Sequence, residues 1–84
     1  MLERYQTLRT IYELVRNDDQ PMLSNVNPRE IILRQQFGWD VIVTHLYELK
    51  QEGLVEILQR NIAQISLTGK GLEHALTMTA NVAA

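Results

Sequence analysis

"HLYELKQEGLVEI", residues 45–57, runs a charged, leucine-spaced stretch into a glycine and then straight into an apolar, alternating one. Ile42, Leu46 and Leu49 repeat at four and three positions, the spacing of one buried helix face. Gly53 supplies the left-handed residue that closes many helices. Beyond it Val55, Ile57 and Gln59 alternate with Glu56 and Leu58, so the chain leaves this helix for a strand packed against it.

Downstream, Arg60 and Asn61 separate "VEILQ" from "IAQISLT", two alternating segments that predict a tight hairpin. Thr68 is the expected cap of a last helix from about Gly69, with Leu72, Ala75 and Leu76 toward the first helix and Gly69 and Gly71 weakening it. The tail "TANVAA", residues 79–84, is expected to fray. Upstream, Asp40 is the capping candidate for the helix that ends at Gly53, and Gly38 predicts a sharp turn in a conformation other residues resist. Asn27, Pro28 and Glu30 form a helix start signal, with about ten residues before Gly38. The turn-rich "NDDQPMLSNVNP", residues 17–28, must leave a first helix, with a short extended piece around Met22 and Leu23. That helix spans about Leu2 to Asn17, and Tyr5, Leu8, Ile11, Tyr12 and Val15 share its face.

Eighty-four residues without a repeat or low-complexity tract predict one domain over 1–84. A chain of this size buries only about 60% of its unfolded surface, which disfavours a deep enclosed active site. There is no cysteine, hence neither a disulfide framework nor a thiolate metal site. The formal net charge of −2 gives no whole-molecule attraction to nucleic acid, so DNA binding requires a local patch. No apolar run approaches the roughly 20 residues of a bilayer span, and the expectation is a cytoplasmic protein with no membrane partner.

"PREIILRQQFGWD" (28–40), "LYELKQEGLVEI" (46–57) and "ISLTGKGLEHA" (65–75) together resemble the small prokaryotic winged helix-turn-helix transcriptional regulators, broadly the MarR-like and PadR-like groups. The resemblance covers about residues 28–75. It implies an α+β, mostly helical fold with a three-helix core, a two-stranded wing hairpin and a C-terminal helix. It also implies a double-stranded DNA partner, with the start of helix 3 presenting Trp39, Val41, Val43, Thr44 and Tyr47 to the major groove. Arg29 and Arg34 on helix 2, Arg60 at the wing tip and Lys70 on the last helix would meet phosphates, and Asn61 would reach a minor groove. A homodimer is expected, because one protomer presents few cations. The wing is short for a MarR-like protein, so effector binding and dimer architecture are not carried over.

None of Trp39, Val41, Val43, Thr44 and Tyr47 makes the bidentate contact that identifies guanine or adenine, although Thr44 and the apolar groups suit thymine methyls. Residues 39–59 also hold four carboxylates, Asp40, Glu48, Glu52 and Glu56, against Lys50, a balance of −3. That composition suits a second class of function, a protein-interaction module in which Trp39, Val41, Val43 and Tyr47 form an apolar patch. The plainer readings are Trp39 as a plug between helices 2 and 3, Tyr47 as an edge residue, and the charges of "YELKQEG" as a solvated face.

No enzyme and no cofactor is expected. His45 and His74 lack a cysteine or a carboxylate at ligand spacing and read as structural or surface residues. Ser24 and Ser66 have no activating pattern, and "LTGKGLE" lacks the four-residue spacing of a phosphate loop.

Overall fold

The structure, a computed structural model, describes residues 3–58 and 63–83. Helix α1, Glu3–Val15, buries Leu8, Ile11 and Val15 and half-buries Tyr5 and Tyr12, as its three-and-four spacing requires. Thr7 is fully buried on the same helix, a position no apolar pattern marks.

After α1 the chain makes a single 3-10 turn, Pro21–Leu23, in place of the extended piece expected at Met22 and Leu23. Proline suits the first position of such a turn, and the Ser24 N–H closes it on the Pro21 carbonyl at 3.2 Å. The extended pairing comes at Val26 instead. Val26 and Ile65 exchange two backbone hydrogen bonds, 2.6 and 2.8 Å, in an isolated antiparallel bridge.

Helix α2, Pro28–Leu33, starts as its signal predicts: Asn27 Oδ1 accepts from the Arg29 N–H at 2.9 Å. It is six residues long rather than ten, because Arg34 leaves the helix at φ −107° and Gln35 is held on α1. Gln35 Nε2 donates to Thr10 Oγ1 at 2.8 Å and to the Gln6 carbonyl at 3.3 Å, and Gln35 Oε1 accepts from Thr7 Oγ1 at 3.2 Å. Thr7 Oγ1 lies 2.8 Å from Nδ1 of buried His45. This polar chain ties the turn before the next helix to α1 and removes the energetic penalty of burying its members unpaired.

Helix α3, Trp39–Gln51, begins two residues earlier than a cap at Asp40 predicts. Gly38 holds the cap position with ordinary extended backbone, φ −71° and ψ 167°, and no side chain caps the helix. The special conformation expected of Gly38 is therefore absent. Asp40 falls in the first turn, where a carboxylate faces the positive end of the helix dipole. Ile42, Leu46 and Leu49 are buried as expected. Gly53 closes the segment at φ +76°, alone in the left-handed region among the described residues.

Strands β1, Val55–Leu58, and β2, Gln64–Leu67, pair antiparallel with Val55 opposite Leu67 and Leu58 opposite Gln64. Val55 is buried and Ile57 half-buried while Glu56 and Leu58 are exposed, the expected alternation. An unbroken ladder around a two-residue turn at Arg60 and Asn61 would set 58 opposite 63 rather than 64. The turn itself, with both residues, lies outside the described residues.

Helix α4, Gly69–Ala83, continues through the segment expected to fray. Its cap is Thr68, whose Oγ1 accepts from the Gly71 N–H at 2.9 Å and donates to the Gly53 carbonyl at 2.6 Å. Ala75 and Met78 are buried and Leu72 half-buried, but Leu76 is 48% exposed, since one step past Ala75 turns it about 100° off the packed face. One core, with Leu8, Ile11, Ile31, Ile42, Leu49, Leu54 and Ile65 at its centre, joins the helices to the inner face of the hairpin.

Candidate nucleic-acid interface

Trp39, Val43 and Tyr47 recur every fourth residue and so form a stripe along the outside of α3. Trp39 is 50% and Tyr47 52% exposed, whereas Val43 is half-buried. With Pro28, Leu46, Ile57, Ala63 and Ile65 they line an apolar groove of about 230 Å³ between α3 and the hairpin. Trp39 is thus a wall of this groove rather than a plug between α2 and α3. Thr44 is exposed beside the stripe, and its hydroxyl donates to the Asp40 carbonyl at 3.1 Å. Val41 does not join these residues. Two positions past Trp39 it lies about 200° around the helix, on the side of buried His45, and is itself half-buried.

The expected phosphate ligands are dispersed. Arg29 is exposed in the first turn of α2, next to groove residue Pro28. Arg34 is also exposed, but it lines a different, polar groove of about 450 Å³ with Gln6, Arg9 and Gln36, between α1 and the α2–α3 turn. Lys70 donates Nζ to the Glu52 carbonyl at 3.0 Å. It therefore serves the C-terminal end of α3, roughly 20 Å along the axis from Trp39 at about 1.5 Å per residue. Arg60 and Asn61 lie outside the described residues. The groove accordingly brings together Trp39, Val43 and Tyr47, with Thr44 and Arg29 adjacent, and excludes Val41, Arg34 and Lys70.

The local acidity is smaller than the sequence implies, because Glu52 is not part of a solvated face. It accepts hydrogen bonds from Arg4 Nε and, at 2.6 Å, from the Tyr5 hydroxyl, joining α1 to the end of α3. Arg4 sits over the Tyr5 ring at 4.9 Å, and the other neighbour of that ring is His74, centroid to centroid 4.7 Å. The Arg4 hydrogen bond holds the Glu52 carboxyl below the ordinary carboxylate range, against the opposing effect of burial. The Tyr5 phenol is raised, chiefly because its ionisation would lose the bond it donates to Glu52.

A pH dependence follows. A carboxyl depressed in the folded state stabilises fully above its unfolded value of about 4.3, and that stabilisation fades as pH falls through the lower folded value. Glu52→Gln should be less stable than the parent at neutral pH, with the gap narrowing as the pH is lowered from neutral through and below the ordinary carboxylate range. Urea unfolding at neutral pH and below that range tests it; a gap of constant size would separate Glu52 ionisation from stability.

His45 is a core residue, edge-on to Phe37 at 5.2 Å, and His74 stacks on Tyr5. Among the described residues no cluster of three or more His, Cys, Asp or Glu is arranged to hold a metal, and no helix is long and apolar enough to cross a membrane. Sequence reasoning missed the groove residues Pro28, Ile57 and Ile65. They converge from α2, β1 and β2 and share no local pattern.

Three helices, a two-stranded hairpin beside the uncovered face of the third, and a closing helix define a mostly helical α+β winged helix-turn-helix domain. The crystal structure of AF1382 from Archaeoglobus fulgidus has this fold. It matches with a TM-score of 0.81 over 95% of this chain and 84% of that one, at 18% sequence identity, a level that speaks to the fold alone. No protein-family model and no curated protein matches the chain.

Proposed function

We propose that this domain is the DNA-binding module of a prokaryotic transcriptional regulator, broadly of the MarR-like or PadR-like kind, acting in the cytoplasm as a homodimer. The observation that carries the reading is the outer face of α3, uncovered beside the hairpin, with exposed Arg29 next to it at the start of α2. In this arrangement α3 enters the major groove and the wing rests on the backbone. With Lys70 at the far end of α3, Arg29, Arg34 and Arg60 remain as phosphate ligands. Each contact contributes about 0.9 to the slope of log affinity against log salt, so each protomer supplies roughly 3 and a dimer doubles it. Titration of an arbitrary duplex at low and moderate salt tests the reading; absence of a salt-dependent interaction overturns it.

A second reading is favoured by the groove itself, whose apolar wall of Trp39, Val43 and Tyr47 has the composition of an interface centre rather than of a phosphate track. On that reading the domain docks another protein or a second copy. Two variants separate the readings. Thr44→Glu places a carboxylate against the duplex and should lower affinity at least about tenfold without changing molecular mass, since the loss of one favourable contact and the gain of repulsion together exceed about 1.4 kcal/mol. Tyr47→Ala, if the face packs on protein, should dissociate an assembly visible by light scattering and leave duplex affinity unaltered. Binding loss at constant mass supports the DNA module, and mass loss at constant binding supports the docking module.

A further inference from the structure

The base-facing part of α3 contains no arginine, lysine, asparagine or glutamine. The residues exposed or half-exposed on its first three turns along that side are Trp39, Asp40, Val43, Thr44 and Tyr47. Guanine is identified by a bidentate cation at O6 and N7, and adenine by a bidentate amide at N6 and N7, so neither purine edge has its partner on this surface. Thr44 has already committed its hydroxyl proton to the Asp40 carbonyl. What the face offers is apolar area, with Trp39 and Tyr47 each half exposed on either side of Val43. In the major groove the one apolar feature of a base edge is a methyl group on C5 of a pyrimidine. Asp40 adds a carboxylate, which only accepts hydrogen bonds and so suits the N4 amino group of cytosine and repels the O4 acceptor of thymine.

We propose that this surface recognises the C5-methyl group of pyrimidines in duplex DNA, the apolar stripe of α3 covering the methyl while phosphate contacts hold the register. The proposal rests on the duplex-binding reading above and specifies what that site discriminates. The same chemistry has two sources, thymine and 5-methylcytosine, and base replacement distinguishes them without altering the protein. A duplex rich in A·T pairs is titrated beside its counterpart with uracil in place of every thymine, and a G·C-rich duplex beside its counterpart carrying 5-methylcytosine.

Removing one covered methyl should weaken binding about fourfold, and two about fifteenfold, from the transfer free energy of a methylene-sized group. If thymine is the target, the uracil duplex binds more weakly and cytosine methylation changes little; if 5-methylcytosine is, methylation strengthens binding and the Asp40 acceptor adds to it. Either response supports the proposal, and Trp39→Ala should then narrow the affinity ratio toward one. Equal affinity within both pairs overturns it while leaving a duplex-binding domain that reads only phosphates. No binding to any of the four duplexes at low salt overturns the proposal together with the reading beneath it.

Discussion

Gly71→Ala should destabilise the domain by about 3 kcal/mol or more, although it replaces the poorer helix former with the better one. A Cβ built at Gly71 would stand 1.8 Å from the Leu54 carbonyl oxygen and 2.8 Å from its carbon, so the obstruction is backbone and no rotamer relieves it. The contact cannot loosen locally either. The same Leu54 oxygen accepts from the Thr68 N–H at 3.1 Å, and Thr68 Oγ1 bridges the Gly53 carbonyl and the Gly71 N–H. Accommodating one methyl therefore means lifting the first turn of α4 off the α3–β1 junction. Against this, the gain in helix propensity is only about 1 kcal/mol. Gly69 supplies the control, because a Cβ there meets only the Met22 sulfur, at 3.5 Å, and Gly69→Ala should be neutral or slightly stabilising. Urea midpoints for the two variants measure the contrast; equal midpoints would show that the close approach is not rigid.

Leu49→Ala should lose about 2 to 5 kcal/mol, the cost of a deleted buried isobutyl group plus the cavity it leaves. Leu49 is 0% exposed on the inner face of α3, in the same core cluster as Leu8 and Ile11 of α1 and Leu54 at the start of the hairpin. Helices and hairpin converge on that point, which limits how far the neighbours can collapse into the void. Leu46, at 4% exposed, should fall in the same range, toward its lower end because it also borders the open groove. A domain of this size is stable by only about 5 to 15 kcal/mol, so either truncation removes a large part of the margin. Denaturation with an unchanged slope against urea is the expected signature. A loss below about 0.5 kcal/mol at both positions would mean that α3 presents a different face to the core.

What could be read from the sequence was whatever is written locally. The faces of α1 and α3, the caps at Asn27 and Thr68, the left-handed Gly53 and the alternation of β1 each depend on residues within a few positions of one another. What could not be read depends on residues far apart. Gly71 scans as a weakness in α4 until the Leu54 carbonyl is set against it, and Glu52 scans as a solvated charge until Arg4 and Tyr5 arrive from the other end of the chain. The hydrogen-bonded chain from half-buried Gln35 through buried Thr7 to buried His45 has no periodic signature at all. Within the candidate interface the exposure of Trp39, Thr44 and Tyr47 was readable from the α3 repeat, and the same count of about 100° per residue sets Val41 on the other side of the helix. Lys70 was beyond such counting, since its position at the end of α3 is set by how α4 packs.

The Val26–Ile65 bridge bears on the order in which the chain folds. Its two residues are 39 positions apart, and α2, α3 and β1 all lie inside the loop that the bridge closes. Closing a flexible loop of that length costs about 3 kcal/mol of chain entropy beyond the constant term, against two backbone hydrogen bonds of about 1 kcal/mol each. The bridge is thus unfavourable in an open chain and becomes favourable only once packing has drawn its ends together. The local helices and the β1–β2 hairpin form early on this account, and Val26 locks onto the returning strand as one of the last events, clamping the segment that leads into α2.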